Sequence, residues 1–363
     1  MTLASVATTR RALLDTATTR LAAAGVATAR ADAEWLLAGL SGIGRAGLVV
    51  RLDRAVDPLL AERYAAVLAR RERREPLQRI LGWEGFCGLR FTLTPEVLVP
   101  RPETELLVEL ALTLLPSGAR RSVVVDVGTG SGCIACAVAH ERPAACVVAI
   151  DVSVGALAVA HRNVSALGLS GRIRLVGGDL IAAIGPQQAD LVVANLPYLP
   201  TALLASLTPE VRDHEPCLAL DGGGDGLNLL RPLVADARRA LRVGGALVLE
   251  TAGNAQAREI GALLTRTGFT EVAIRADLTG TERFVLGRWP GCAEPARSSA
   301  GFARAIPGEE SEGAPSPFRS VRSAGFARAT PGSLSEYRGA PRVPRGAPSV
   351  GGYGGPFGAP HLL

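Results

Sequence analysis

Three segments of the chain place chemically useful residues directly after a run of apolar residues. The first, VVVDVGTGSGCIA at 123–135, leads from a predicted strand into a glycine-rich turn. Asp151 follows the second apolar run, and Asp179 follows the third. Glycines let a ligand approach the backbone, and a carboxylate at a strand end accepts hydrogen bonds from ribose hydroxyls. The three strand ends together predict a nucleoside pocket, with Asp179 near the base.

The spacing of the glycines narrows the kind of nucleoside. The turn reads GxGxG, whereas dinucleotide-binding turns read GxGxxG. The tighter turn favours a ligand without a pyrophosphate. Asp151 does not discriminate further, because dinucleotide-binding folds carry an acidic residue at the same place. The residues alone therefore indicate a nucleoside and leave its identity open.

A fourth apolar run, in ADLVVANLPYLP at 189–200, stops at Asn195-Leu196-Pro197-Tyr198. Asn and Pro are frequent in turns, so the simplest interpretation is a turn that ends a strand. The run belongs to the same series of strands as the glycine turn and Asp151. That setting favours a functional site instead.

These candidate residues depend on an alternation of strands and helices that begins near Ser122. Such alternation predicts a parallel sheet with helices on both faces, because each crossover returns a helix over the sheet. The last two strands are joined by a short loop and predict an antiparallel hairpin at the sheet edge. The predicted strands span 123–126, 147–150, 173–176, 190–194, 246–250, 271–275 and 282–287, and the predicted helices lie near 132–141, 155–167, 226–242 and 255–267.

Two further parts of the chain have different patterns. Apolar residues at helical spacing over 8–25, 31–40 and 58–74 predict a small helical domain, and β-prone residues between glycines after it predict a hairpin. The end of the chain has 13 Gly and 10 Pro in 73 residues, a composition that predicts disorder. We therefore divide the chain into a helical domain at 1–78, a β-hairpin linker at 79–96, a second domain at 97–290 and a disordered tail at 291–363.

Composition excludes several classes of protein. The chain of 363 residues has a net charge of +5, but residues 91–290 carry 17 Arg against 20 acidic residues and lack the basic face of a nucleic-acid binder. No apolar run is long enough to cross a bilayer. Six scattered cysteines fit a reduced, cytoplasmic compartment. The pair Cys133 and Cys136 has no second pair or His cluster nearby, so we expect core packing and no metal site.

Several stretches resemble the PrmC/HemK family, the protein-(glutamine-N5) methyltransferases of peptide chain release factors, within the class I S-adenosylmethionine-dependent methyltransferases. The resemblance covers roughly residues 8–290. It implies an α/β fold with a seven-stranded Rossmann-like sheet after an N-terminal helical domain that helps to grip the release factor. The stretches that carry it are VLVPRPETELLVE (97–109), DVGTGSGCIA (126–135), AIDVS (149–153), NLPY (195–198) and PEVRDHEPCLALDGGGDGL (209–227).

The resemblance also implies roles for named residues. The methyl acceptor would be the side-chain amide of the glutamine in the Gly-Gly-Gln loop of class I release factors. The Asn195 side-chain oxygen and the Leu196 carbonyl would accept its two N–H bonds, with Tyr198 stacked on the amide and Pro197 stiffening the loop. The other expected contacts are Gly128, Thr129, Gly130, Ser131 and Gly132 at the methionine end of the cofactor, Asp151 on its ribose, Asp179 or Leu180 near adenine, and Arg101 and Glu215 at the substrate. Asn195 is also expected to border the cofactor.

One departure from the family keeps two alternatives open. The family usually has Asn-Pro-Pro-Tyr, and Leu196 replaces the first proline here. Asn-Leu-Pro-Tyr also occurs in enzymes that resemble rRNA adenine N6-methyltransferases, so an RNA base is the main alternative acceptor. The other alternative is a non-catalytic cofactor-binding docking protein. The stretches around Arg101 and Glu215 favour a release factor as the partner. We further expect a monomeric, cytoplasmic enzyme that binds no metal, membrane or nucleic acid.

Overall fold

The N-terminal part of the chain is a cluster of five helices. The protein is described here by a computed structural model over residues 9–115 and 120–291. Side-chain oxygens of Thr9 and Asp57 accept backbone N–H bonds at the starts of two of the helices. Leu37 and Tyr64 lie in the apolar centre, where the Tyr64 hydroxyl donates to the Ala33 carbonyl at 3.0 Å. The helices are α1 (Arg10–Ala23), α2 (Ala29–Ser41), α3 (Arg45–Val49), α4 (Pro58–Glu72) and α5 (Leu77–Leu81).

A two-stranded hairpin follows, formed by β1 (Trp83–Phe86) and β2 (Leu89–Thr92). Its two turn residues, Cys87 and Gly88, have φ values of 47° and 72°. Positive φ at both positions is the type I′ geometry that matches the twist of paired strands. The Asn163 side chain bonds both the N–H and the carbonyl of Thr92, at 2.8 and 3.1 Å. These two bonds hold the hairpin against the following sheet domain.

Seven strands form one mixed sheet, as the sequence predicts, in the order β5-β4-β3-β6-β7-β9-β8. The pairs from β5 to β7 are parallel, and β9 is antiparallel to both of its neighbours. Chain order reverses at β3, where open α/β sheets bind ligands beyond the carboxyl ends of the strands. The strands are β3 (Ser122–Val127), β4 (Ala145–Asp151), β5 (Ile173–Gly177), β6 (Ala189–Ala194), β7 (Leu241–Glu250), β8 (Thr270–Ala276) and β9 (Glu282–Arg288).

Helices cover both faces of this sheet. Because successive strand residues point to opposite faces, Val124 and Leu191 pack with the helices of one layer and Val125 and Val192 with those of the other. The first layer includes α6 and α7, and the second includes α10 and α11. The helices of this domain are α6 (Pro102–Leu114), α7 (Cys133–Glu141), α8 (Val154–Ala166), α9 (Pro209–Arg212), α10 (Leu230–Ala240) and α11 (Asn254–Arg266).

Two helices of the sheet domain illustrate where the structure differs from the sequence prediction. Helix α6 was not predicted, although Pro102 at its first turn and two acidic residues beside it are typical of a helix start. Helix α10 begins at Leu230 and not at 226, since Gly226 has a φ of +80° that does not fit a helix. The tail predicted to be disordered lies, apart from Gly291, outside the described residues.

The sequence predicts neither a membrane span nor a metal site, and both points can be examined only in the residues that the structure describes. Within 9–115 and 120–291, no helix is long and apolar enough to span a membrane, and no group of three or more side chains could hold a metal ion. Cys133 and Cys136 are buried in α7. Burial raises the pKa of both thiols, that of Cys133 to about 12, so the pair packs in the core in the thiol form.

Candidate active site

The glycine turn between β3 and α7 forms the first part of the site. Gly128, Gly130 and Gly132 have φ values of 72°, 54° and 81°, the left-handed region that favours glycine. The backbone N–H groups of Gly128 and Thr129 both donate to the Ile150 carbonyl at 2.9 Å. A Cβ atom on Gly130 would have no neighbour closer than 4.0 Å. The turn is thus held against the end of β4 and faces open space at Gly130.

The hydroxyl side chains of this turn face inward. The buried Thr129 hydroxyl donates to Asp126 Oδ2 at 2.6 Å, and that oxygen also accepts the Ala135 N–H at 3.1 Å. Ser131 is buried as well, and its carbonyl accepts a bond from Asn163 at 2.8 Å. A bound ligand would therefore meet the backbone of these two residues and not their hydroxyls.

Asp126 is a buried charged group that the sequence analysis did not single out. Burial raises the pKa of its carboxyl to about 7, against the lowering effect of the Thr129 hydrogen bond. Its second oxygen, Oδ1, is buried and has no hydrogen-bond partner in the described part of the chain. Buried polar atoms are nearly always paired, so this atom is notable beneath the glycine turn.

Asp151 and the end of β5 lie beside the glycine turn. Asp151 Oδ2 accepts the Gly130 N–H at 2.8 Å, and its Oδ1 accepts the Ser153 N–H at 2.9 Å. The Gly178 N–H donates to the Asp151 carbonyl at 3.1 Å and joins the third strand end to the second. Asp179 is exposed and Leu180 has a φ of +46°. The structure thus brings the glycine turn and Asp151 into direct contact, with 179–180 adjoining them.

The residues after β6 form the second part of the site. Leu196 is buried. A Cβ atom placed on Gly128 would lie 2.8 Å from the Leu196 Cδ2 atom, so the Leu196 side chain packs directly against the glycine turn. The side chain of Asn195 donates from Nδ2 to Thr104 Oγ1 at 3.0 Å. The Tyr198 hydroxyl donates to Glu250 Oε1 at 3.4 Å. The strand-end motif therefore touches the glycine turn on one side and a polar cluster on the other.

Glu250 and Thr104 form that cluster, and the sequence analysis assigned a role to neither. Thr104 Oγ1 donates to Glu250 Oε2 at 2.9 Å, and both side chains are buried. Burial raises the pKa of Glu250 to about 7, against the Thr104 hydrogen bond and the charge of Arg283. Burial also raises the pKa of Tyr198. Glu250 could have been recognised as a candidate from the sequence, because it is the last residue of a predicted strand, just as Asp151 directly follows one, and both strands end at the same edge of the sheet.

Glu215 and Arg101, predicted to contact the substrate, lie together at the border with the helical cluster. The Glu215 side chain is 1% exposed and pairs with Arg79 at 3.0 Å and with Arg101 at 3.5 Å. Its Oε2 atom also accepts the Val99 N–H at 3.4 Å. Burial and pairing favour a structural role for the Glu215 carboxylate. Arg101 is 35% exposed in its side chain and stays available to a partner.

Parts of the chain are similar to known proteins. A family model described as PrmC N-terminal domain matches residues 12–82, and one described as methyltransferase small domain matches residues 103–203. A crystal structure of a methyltransferase from Pyrococcus furiosus aligns with 56% of this chain and 90% of that one, at 21% identity and a TM-score of 0.41.

Two curated relatives align with most of the chain. The release factor glutamine methyltransferase of Geobacter sulfurreducens is 45% identical over 260 residues, which are 72% of this chain and 89% of that protein. The protein of the same name from Rhodospirillum rubrum is 44% identical over 260 residues, 71% of this chain and 78% of its own length. On this identity and coverage, the chain belongs to the release factor glutamine methyltransferase family.

Proposed function

We propose that this protein transfers a methyl group from S-adenosyl-L-methionine to the side-chain amide N5 of a glutamine in a class I peptide chain release factor. The observation that carries the proposal is the fixed Asn195 amide. Its Nδ2 is engaged by Thr104, which leaves Oδ1 to accept an N–H from another molecule. The proposal also rests on the activity for which the curated relatives are named.

The residues of the first part of the site suit the cofactor. The backbone of the glycine turn faces open space at Gly130, where the methionine end would lie. Asp151 keeps free lone pairs on both oxygens for the ribose hydroxyls. The unpaired Oδ1 of Asp126 supplies an acceptor beneath the turn. Asp179 and Leu180 would border the adenine. When bound, the cofactor supplies an electrophilic methyl group on a sulfonium.

The residues of the second part suit a planar NH₂ group. An amide nitrogen is a poor nucleophile because its lone pair is shared with the carbonyl, so orientation must supply much of the catalysis. Asn195 Oδ1 and the Leu196 carbonyl would accept the two N–H bonds. Neither oxygen has a hydrogen-bond donor within the described ranges. Tyr198 would stack on the amide plane. No general base is needed before transfer, because the cationic methylated amide would lose its extra proton to water afterwards and the cofactor would leave as a neutral thioether.

Leu196 provides a different kind of rigidity from the proline that the family usually has. Its side chain is 5% exposed and packs beneath Gly128, so core contacts hold the backbone whose carbonyl would accept the substrate. We infer that the carbonyl is fixed by packing where a proline would fix it by its ring. The acceptor function survives the substitution for this reason.

The alternatives receive less support. An rRNA adenine also presents a planar NH₂ group, but the match of residues 12–82 to the PrmC N-terminal domain favours a release factor. The intact geometry around Asn195 and Tyr198 argues against a non-catalytic docking protein. We further propose that the enzyme acts as a cytoplasmic monomer without nucleic acid, with Arg101 as a contact to the release factor.

The test uses the purified full chain with labelled cofactor and two acceptors, a class I release factor and an rRNA fragment. We expect label on the release factor alone, at the glutamine of its Gly-Gly-Gln loop by mass spectrometry. A release factor with that glutamine replaced by alanine is the matched control and should stay unlabelled. Label on the RNA would contradict the proposal and support an rRNA adenine as the acceptor. Label on neither molecule would contradict the proposal that the protein is a methyltransferase for these acceptors.

A further inference from the structure

The Glu250 carboxylate is the common acceptor of two side chains that lead to the proposed acceptor site. It is 1% exposed at the end of β7. Its Oε2 atom accepts from the Thr104 hydroxyl at 2.9 Å and its Oε1 atom accepts from the Tyr198 hydroxyl at 3.4 Å. An ionised carboxylate only accepts hydrogen bonds. While Glu250 is ionised, both hydroxyl protons are therefore directed toward it.

This direction fixes the orientation of the Asn195 side chain. A threonine hydroxyl has one proton, and Thr104 gives it to Glu250. Thr104 Oγ1 is then restricted to accepting, and Asn195 Nδ2 is the donor at 3.0 Å. If the Asn195 amide turned over, its Oδ1 would face the lone pairs of Thr104. The buried carboxylate thus selects one of the two amide orientations.

The selected orientation is the one that the proposed reaction needs. With Nδ2 on Thr104, Oδ1 points away and can accept an N–H of a substrate NH₂ group. In the reversed orientation the NH₂ group of Asn195 would face the NH₂ group of the substrate, and two hydrogen-bond donors cannot bond each other. The same carboxylate holds the Tyr198 hydroxyl and so limits rotation of the ring that would stack on the amide.

We propose that Thr104 and Glu250 are positioning residues, which hold Asn195 and Tyr198 in the orientation required for methyl transfer to a planar amide. This inference rests on the proposed function. Neither residue is assigned a contact with substrate or cofactor. We call the hydrogen bonds that join Asn195, Thr104, Glu250 and Tyr198 the side-chain relay. It extends from the segment after β6 to Thr104 on α6 and Glu250 on β7.

The first test compares Thr104→Val, which removes the hydroxyl at nearly constant shape, with Thr104→Ser, which keeps it. We expect kcat for methylation of the release factor to fall about 10- to 100-fold in the valine variant. The serine variant should stay within about threefold of wild type, because it restores the hydrogen bond that positions Asn195. The Kd for S-adenosylmethionine, measured by calorimetry, should be unchanged in both variants.

Glu250→Gln is the second test and stands on its own if the valine variant does not fold. A glutamine both donates and accepts, so it no longer selects the direction of the Thr104 proton. We expect a lower kcat and a flatter pH profile. In wild type, kcat at saturating cofactor should rise with pH as Glu250 ionises, since the neutral acid can donate to Thr104 and release the selected orientation. Thr104 and Tyr198 bond Glu250, and the charges of Glu103 and Arg283 also act on it.

Each outcome has a defined meaning. Wild-type kcat in Thr104→Val, or equal losses in the valine and serine variants, overturns the positioning role while leaving the proposed function intact. A Glu250→Gln profile that matches wild type in height and shape does the same. Failure of the wild-type protein to methylate the release factor overturns the proposed function, and this inference with it.

Discussion

The two parts of the candidate site differ in the groups that form them and in how far apart those groups are in the sequence. The cofactor part combines the backbone of the glycine turn after β3 with the Asp151 carboxylate at the end of β4, and the Gly130 N–H bond to Asp151 joins the two. The acceptor part consists of side chains from α6, β7 and the segment after β6. Its hydrogen bonds join residues 91 and 146 positions apart, Asn195 with Thr104 and Thr104 with Glu250.

This difference predicts how each part responds to substitution. A backbone cradle depends on φ angles and on space, so it is sensitive to an added Cβ atom and less so to the loss of a hydroxyl. A side-chain relay depends on each proton having a donor and an acceptor, so it is sensitive to the loss of one polar group. Substitutions in one part should therefore leave the property of the other largely unchanged.

The largest effect is expected for Asn195→Ala. The variant loses the oxygen that would orient the substrate amide, and kcat should fall by about 100-fold or more. The Asn195 side chain bonds Thr104 and neither the glycine turn nor Asp151, so the Kd for S-adenosylmethionine should stay within about twofold of wild type. Steady-state kinetics and calorimetry measure the two values. Equal losses of turnover and cofactor affinity would remove the distinction between the two parts.

The reverse result is expected for Asp151→Ala. The carboxylate would bind the ribose and also accepts the Gly130 N–H, so its loss should raise the Kd for the cofactor about 10- to 100-fold. At saturating cofactor, turnover should stay within a few-fold of wild type. Asp151→Asn, which keeps the shape and one acceptor oxygen, should have an intermediate Kd. A normal Kd in the alanine variant would show that Asp151 does not bind the cofactor.

Gly128→Ala tests the contact between the glycine turn and Leu196. The new Cβ would lie 2.8 Å from Leu196 Cδ2, at a φ of +72°. Strain and overpacking should lower the free energy of unfolding by about 2–4 kcal/mol. Gly130→Ala is the matched control, with positive φ but no neighbour closer than 4.0 Å, and should lose less. Both are measured without cofactor by denaturant unfolding, and equal losses would exclude the Leu196 contact as a cause.

The smallest effect on activity is expected at the border with the helical cluster, in Glu210→Gln. Glu210 pairs with Arg74 at 2.6 Å and with Arg71 at 3.0 Å. Burial opposes ionisation of Glu210, but the arginine hydrogen bonds prevail and lower its pKa. The free energy of unfolding should fall by about 1–3 kcal/mol near neutral pH. Turnover should change little.

The pH dependence of that loss follows from the sign of the shift. A lowered folded-state pKa stabilises the fold above the unfolded-state value, and the contribution disappears as the pH falls through the folded-state value. The difference between wild type and Glu210→Gln should therefore shrink as the pH falls below the usual glutamate pKa of about 4.3. Asp213→Asn breaks an exposed pair with Arg212 in the same segment and should have almost no effect at either pH. A loss in Glu210→Gln that is independent of pH would contradict the ion pair as its cause.

Much of the fold was predictable because its pattern is local. Apolar runs of the right length gave all seven strands of the large sheet, and short connections gave the antiparallel edge hairpin. Helix α6 was missed because its residues were treated only as a motif. The start of α10 was misplaced because propensity does not report the φ of Gly226.

The candidate site was predictable to the extent that it is continuous in sequence. The glycine turn and Asp151 follow apolar runs, and each is visible within a few residues. The partners of Asn195 are not, because Thr104 and Glu250 come from other elements and meet only in the folded chain. Glu215 is a different case, and its contact with the substrate stays a prediction. Its stretch suggested a substrate contact, whereas the folded chain buries its carboxylate against Arg79 and Arg101.

The most direct test of the account is the single-turnover rate constant of methyl transfer at saturating cofactor, compared between Asn195→Ala and Asp151→Ala. Saturation removes any defect in cofactor binding from the measured rate. We predict that Asp151→Ala reacts within a few-fold of wild type and that Asn195→Ala reacts about 100-fold more slowly or worse. Equal rate constants for the two variants would contradict the claim that Asn195 orients the acceptor amide.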